Sequence, residues 1–309
     1  MDQTMQRTIS LGWGRVALGC AVIGCWFPRE AGAIIFYSTG DPAYNTTAPT
    51  GGLAGSGWQW TGFWGGVTGT TISPNQFITA THVGGSVGQA FTFGGVSYTT
   101  TGVANNGDLA IWTVSGTFSS YAPITSTAPA IGTDAVVLGR GTQRGADISQ
   151  NGELKGWQWG AADGALRWGE NTVETAGGTL IKFNFDATGG ANEAHLSSGD
   201  SGGGVFVNEG GGWKVTAINY GVDGPFSTTL GGSQFNAAIF DKGGLYKGGA
   251  FYTESAIDKP SAFYSTSLAA SYSWISSVMA VQVPEPSATA LVGIPGALFL
   301  GMKLARRRN

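Results

Sequence analysis

The sequence predicts an all-β chain, an antiparallel sandwich or barrel, and three observations carry that prediction. Glycine supplies 53 of 309 residues, with 11 Trp and 16 Phe beside it and charged residues at only 11%. The apolar runs are short, rich in Val, Ile, Phe and Thr, and bounded by turn residues, which is the pattern of strands joined by tight turns. No stretch keeps a helical period over several heptads.

Taken in order, strand-like runs fall at 34–38, 76–80, 91–93, 96–100, 109–114 and 135–139, then at 180–185, 203–207, 213–220 and 237–240. The Ser/Thr/Pro-rich segment 115–133 reads as a connector between two sets of strands. "SLAASYSWISSVMA", residues 267–280, is the best candidate helix. The stretch 140–175, with its "WQWGAADGALRWGE", fits either hairpins or a surface loop, and the sequence leaves both open. No internal repeat of fixed period is present.

The two ends are organised differently. Residues 1–33 read as a secretory signal: Arg7 and Arg15 flank an apolar segment from Val16 to Phe27, and Ala31-Gly32-Ala33 has the small-x-small form that signal peptidase needs. A rival reading takes Val22-Ile23-Gly24-Cys25 as a lipoprotein box with Cys25 as the lipidated N-terminus. Cleavage after Ala33 removes Cys20 and Cys25, the only cysteines, so the remaining domain depends on its core rather than on disulfides. At the other end, Val283-Pro284-Glu285-Pro286 precedes a 16-residue apolar run and a basic cluster, Lys303 and Arg306-Arg307-Arg308. Such a run falls short of the ~20 residues of a comfortable membrane span, and the arginines favour a cytoplasmic C-terminus.

These boundaries divide the chain into 1–33, 34–280 and 281–309. The middle segment holds nine basic against sixteen acidic side chains. That balance argues against nucleic-acid binding through a basic face.

The chemistry concentrates in three places. Serine becomes a useful nucleophile only beside a base that takes its proton, and the base needs a carboxylate to orient it. Ser201 lies in "SSGDSGGGVFV", His82 in "FITATHV" at the end of an apolar strand, and Asp108 in "NNGDLAIWTV" at the start of another. Each motif alone has a plain structural explanation: a glycine turn, a histidine after a strand, an acidic turn residue. Together, in the order His, Asp, Ser, they form a set able to perform acyl transfer.

"TATH", "DLAI" and "GDSGG" resemble the histidine, aspartate and nucleophile motifs of trypsin/chymotrypsin-like serine proteases. "SYSWI" resembles the pattern of their C-terminal helix, shortened by one residue. The C-terminal segment resembles a PEP-CTERM sorting tail. The first resemblance spans residues 34–280 and implies a chymotrypsin-like fold, two six-stranded antiparallel β-barrels and a C-terminal helix, with peptide hydrolysis in the cleft between the barrels. It implies Ser201 as nucleophile, His82 as general base and acid, and Asp108 as its orienting carboxylate. The amides of Gly199 and Ser201 would form the oxyanion hole, and Asn219, Tyr220 and Gly221 would bind the substrate backbone. No cofactor or metal is implied, and two histidines without mature cysteines do not build a usual zinc site.

Two departures stand out. Gly204 occupies a position where the family usually has Pro or Ser, a change expected to affect only the start of a strand. His195 stands six residues before Ser201, where trypsin has a carboxylate, so specificity for basic side chains is unsupported. His195 reads either as a substrate-binding residue for an acidic side chain or as an exposed loop histidine. The family also implies that a new N-terminus at Ile34-Ile35 could pair with Asp200, making signal peptidase the activating enzyme. The tail implies an exosortase-type processing enzyme, and an extracellular polysaccharide matrix is a candidate partner beside a polypeptide substrate. The expected location is periplasm, cell surface or exterior. A catalytically silent protease-like protein displayed through the tail is the alternative, and the aromatic-rich stretch 157–168 suits either role.

Overall fold

The computed structural model describes residues 34–280. The expected signal segment and sorting tail, with Cys20 and Cys25, lie outside the described residues.

Six strands form the first barrel: β1 (Thr61–Trp64), β2 (Val67–Ser73), β3 (Gln76–Ala80), β4 (Ala90–Phe93), β5 (Val96–Asn106) and β6 (Leu109–Val114). They pair antiparallel in the closed order β1-β2-β3-β6-β5-β4. The second barrel comprises β7 (Asp134–Gly139), β8 (Arg167–Thr175), β9 (Leu180–Asn184), β10 (Gly204–Asn208), β11 (Trp213–Val222) and β12 (Ala262–Ser267). Its closed order is β7-β8-β9-β12-β11-β10, the same circuit moved six strands along the chain. The repeat missing from the sequence is therefore present in the topology. One turn of 3₁₀ helix, Ala269–Ser271, leads into α1, Tyr272–Ala280, within the expected helical stretch. The fold is chymotrypsin-like.

Glycine closes the tight hairpins. Gly94-Gly95 joins β4 to β5, and Asn151-Gly152 joins the strands Arg144–Gln150 and Glu153–Trp159, with positive φ at all four residues. Two-residue turns of this hand match the twist of the strands they connect.

The apolar runs look continuous in sequence because some strands serve two cores at once. Along β7, Ala135 and Val137 point into the second barrel while Val136 and Leu138 face the first. In β10, Val205 and Val207 go inward and Phe206 goes to the seam. The first barrel mirrors this: Phe77, Ala110 and Trp112 fill its interior, and Ile78, Ala80, Leu109 and Ile111 line the seam. Alternation of side-chain direction along a strand makes each such run apolar on both faces. Ile275 of α1 packs fully buried against the same seam.

The undecided stretch 140–175 contributes a hairpin and a barrel strand. The hairpin Arg144–Gln150/Glu153–Trp159 gains a third strand from Ala237–Ile239, and residues 167–175 are β8. Trp157 is buried there, with the Arg144 guanidinium 3.6 Å above its ring. Lys155 pins the hairpin to the long excursion between β11 and β12. Its ammonium is 2.7 Å from Asp241, 2.9 Å from Glu254 and 3.0 Å from Glu153. Burial alone would lower its pKa, but these three carboxylates outweigh burial and hold it above the ordinary lysine value. The expected strand at 34–38 shortens to Ile35–Phe36, which pairs with Ala194–His195. Among the described residues no helix is long and apolar enough to cross a membrane.

Candidate active site

His82 and Asp108 arrive from adjacent strands of the first barrel. β3 ends at Ala80 and passes into a single 3₁₀ turn, Thr81–Val83, that carries His82. Asp108 occupies the turn before β6, and its carbonyl accepts the Thr81 amide at 2.9 Å. Its carboxylate also accepts the His82 amide at 3.0 Å, so backbone and side chain are fixed by one residue. His82 Nδ1 lies 2.9 Å from each Asp108 oxygen, and Nε2 lies 2.8 Å from Ser201 Oγ. A carboxylate can only accept, so Nδ1 carries the proton and Nε2 is left to accept from the serine hydroxyl. The His82 side chain is 41% exposed and Asp108 is 17% exposed, which leaves the imidazole open to a substrate and its orienting partner sheltered.

Ser201 sits on the turn leading into β10, and each glycine around it has a reason. Gly199 has φ +96°, and a Cβ there would meet the Arg140 carbonyl oxygen at 3.1 Å. A Cβ on Gly202 would strike Thr79 Oγ1 at 2.2 Å, and one on Gly203 would strike the Leu138 carbonyl oxygen at 1.9 Å. Gly204 is not merely a strand start: a Cβ would meet Thr70 Oγ1 at 2.7 Å and the Phe206 ring at 2.6 Å. The bulkier residues expected at that position have no room here. The amides of Gly202 and Gly203 are taken by Asn219 O and Asp200 O. Among the described residues no hydrogen bond occupies those of Gly199 and Ser201.

Asp200 is fully buried. Burial pushes its carboxyl up to about 7, against the pull of hydrogen bonds from the Ser197 and Gly141 amides, the Ser197 hydroxyl and the Ile34 amide. The Gly141 and Ser197 amides approach at 2.6 and 2.7 Å.

His195 is neither exposed nor in a loop. It belongs to the short strand Ala194–His195, is wholly buried, and meets the Phe185 and Phe263 rings edge-on at 5.4 and 5.8 Å. Its Nδ1 donates to Leu196 O at 2.7 Å and its Nε2 lies 3.3 Å from Ser261 Oγ. Burial drives its pKa down to about 4, so the ring is neutral at pH 7. A neutral ring with no exposed atom gives no cation for an acidic side chain.

Of the expected substrate-binding trio, Asn219 also departs in its side chain. It is buried and spent on bracing, with Nδ2 donating to Leu138 O and Asp200 O at 2.9 and 3.1 Å. Tyr220 is 43% exposed and its ring stands edge-on to His82 at 5.9 Å. β11 pairs with β10 only as far as Ile218–Gly204, so among the described residues Tyr220, Gly221 and Val222 have β12 on one side and a free edge on the other.

Sequence reasoning passed over the segment that supports the serine turn from the other side. Thr142 N donates to Ser197 Oγ at 2.5 Å, and Gly139 and Gly141 are so close to Asp200 that a Cβ on either would fall within 2.3 Å of its carboxylate. Between those glycines Arg140 reaches out toward Phe63 of β1. "GRGT" carries no motif that could have announced this; only the flanking glycines hinted at a close approach.

No protein-family model matches the chain, and no curated protein matches it. Among solved structures it is similar to neuropsin, a serine protease expressed in the limbic system of mouse brain, at 13% identity and TM-score 0.47 over 73% of this chain and 96% of that one. It is similar to a mutant of human heparin binding protein at 15% identity and TM-score 0.46, covering 75% and 96%. A mutant of Rv3671c from M. tuberculosis H37Rv, in its inactive form, is similar at 16% identity and TM-score 0.39, covering 70% and 83%.

Proposed function

We propose that this chain is an exported serine endopeptidase that hydrolyses peptide bonds through an acyl-enzyme. The observation that carries the reading is the unbroken relay from Asp108 through His82 to Ser201. Ser201 Oγ attacks the scissile carbonyl carbon as its proton passes to His82 Nε2. The oxygen that gains charge lies against the amides of Gly199 and Ser201, whose donors are available to it. Collapse breaks the C–N bond, and His82 returns the proton to the leaving amine. Water then repeats the sequence on the ester, freeing Ser201. Asp108 keeps the proton on Nδ1 and stabilises the imidazolium between the two transfers. The substrate lies extended along the free edge at Tyr220–Val222, where backbone pairing would hold it regardless of its side chains.

Export and surface processing rest on residues 1–33 and 284–308, and signal peptidase and an exosortase-type enzyme are the partners they call for. Cleavage after Ala33 turns the Ile34 amide into an ammonium. That nitrogen already donates to Asp200, a buried carboxylate that pairs with no cation among the described residues. Export and activation are then one cut.

A fluorophosphonate probe tests the central claim. Ser201 of the chain starting at Ile34 takes up the probe and the Ser201→Ala chain does not. Absence of labelling in a folded chain would leave the catalytically silent, matrix-binding alternative in its place. Full activity in a chain that keeps residues before Ile34 would end the activation step alone.

A further inference from the structure

Arg140 makes no salt bridge among the described residues, and its one hydrogen bond goes to a backbone carbonyl. Arg167 is bound by Asp163, and Arg144 feels the charge of Asp147. Burial lowers the pKa of Arg140. Its guanidinium lies over the Phe63 ring at 5.4 Å, and one Nη donates to the Gly164 carbonyl. Nε is buried with no partner. A guanidinium has five N–H donors in one plane. With one Nη bound to Gly164 O and Nε unpartnered, donors of the guanidinium are left unspent beside Phe63.

In a segment with nine basic and sixteen acidic side chains, an arginine without a carboxylate is conspicuous. Partial desolvation of an unpaired charge costs stability, and the natural return on that cost is an anionic ligand. Guanidinium and carboxylate match in geometry, two parallel N–H···O bonds at once.

Its place in the fold says which part of a substrate it would meet. β10, which follows Ser201, lies between β11 and β7. Tyr220 stands on the β11 side, against His82. Arg140 stands at the end of β7, with its carbonyl against Gly199. A peptide whose acyl half follows the free edge of β11 crosses Ser201 and leaves over the end of β7. There it meets Arg140, Phe63, which is 42% exposed, and the 160–166 loop that supplies Gly164 O. Asp163 holds that loop through Gln143 at 2.7 Å and through Arg167.

We propose that Arg140, set over the Phe63 ring, is a specificity residue that receives a carboxylate on the leaving-group side of the scissile bond. The carboxylate is either an Asp or Glu side chain shortly after that bond or the C-terminus of a peptide ending there. This inference rests on the hydrolase reading and names its substrate class.

The test uses a peptide library varied between Asp/Glu and Asn/Gln at the first three positions after the cleaved bond, each peptide made as free acid and as amide. The chain starting at Ile34 is expected to favour carboxylate-bearing peptides at least ~10-fold in kcat/KM, the scale of one charge-assisted contact. Arg140→Gln brings the ratio near one, and Arg140→Lys, which keeps the charge, retains part of it. A preference confined to side-chain acids, or to free termini, identifies the source. Cleavage with no carboxylate preference, or a preference that survives Arg140→Gln, overturns the assignment while leaving the hydrolase intact. Titrating the same peptides onto the Ser201→Ala chain by fluorescence anisotropy decides the matter without turnover: equal affinity for acid and neutral peptides overturns it there as well.

Discussion

His82 Nε2 lies 2.8 Å from Ser201 Oγ although 119 residues separate them in the chain. Neither barrel contains both, so the contact exists only while the barrels are docked. Ser201→Ala and His82→Ala are each expected to lower kcat by about 10⁶, the loss seen when either member of such a relay is removed. Asp108→Asn should cost about 10⁴, because an amide donor facing Nδ1 favours the wrong tautomer. Rates measured on one peptide check all three, and an Asp108→Asn chain with undiminished kcat would refute the orienting role.

Gly199→Ala tests the oxyanion site separately from the relay. The alanine must hold φ near +96° with its Cβ 3.1 Å from Arg140 O, so the turn has to shift. Loss of one aligned amide predicts a fall of about 10²–10³ in kcat. Fluorophosphonate uptake should slow in parallel, while the melting temperature falls by only a few degrees.

Asp200 gives the fold a pH dependence with a defined sign. Its carboxyl is raised in the folded chain to about 7 from an ordinary 3.8. The folded state therefore holds the proton more tightly than the unfolded one between those values. Stability from this group is complete below about pH 4 and is lost as pH rises through 7. Comparing unfolding free energies of the parent chain and Asp200→Asn, with residues before Ile34 retained, isolates the effect. The difference moves in favour of the variant between pH 4 and 7, by up to about 1.4 kcal/mol per pH unit. A chain starting at Ile34 should show a smaller drift, since an ammonium beside the carboxylate lowers its pKa. A flat difference across that range in the uncut chain contradicts the prediction.

Lys155→Met removes the ammonium that three carboxylates share and leaves Asp241, 5% exposed, without its cation. Breaking a buried pair from one side costs about 3–5 kcal/mol. The expected result is a lower urea midpoint, with proteolysis first reaching the excursion between β11 and β12. The double variant Lys155→Met/Asp241→Leu should recover part of the loss. Unchanged midpoints would show that the cluster contributes no stability.

Much of the site was readable because its chemistry demands fixed residue types: a nucleophile, a base and a carboxylate, each placed at the end of an apolar strand. The strands at 76–80 and 109–114 were legible for the same reason, being compact, apolar and bounded by turns. β1 and β2 were missed because Gly62, Gly69 and four threonines dilute their apolar signal, while their conformation is fixed by pairing with neighbouring and non-neighbouring strands of the first barrel. His195 was misread because its local sequence gives no sign of the Phe185 and Phe263 rings, one before it and one after it in the chain, that close over it. Asn151-Gly152 was a turn signal in plain view within a stretch left undecided. Arg140 could not be found at all, since what sets it apart is the partner it lacks.

The double service of β7 has a genetic consequence. Val136 and Val137 are neighbours in sequence, the same residue type and equally buried, yet one faces the seam and the other the second barrel. Truncating Val136 should yield a chain that keeps its barrels folded and loses turnover, whereas truncating Val137 should yield one that loses solubility. A saturation screen along this strand would then alternate, codon by codon, between catalytic and folding phenotypes.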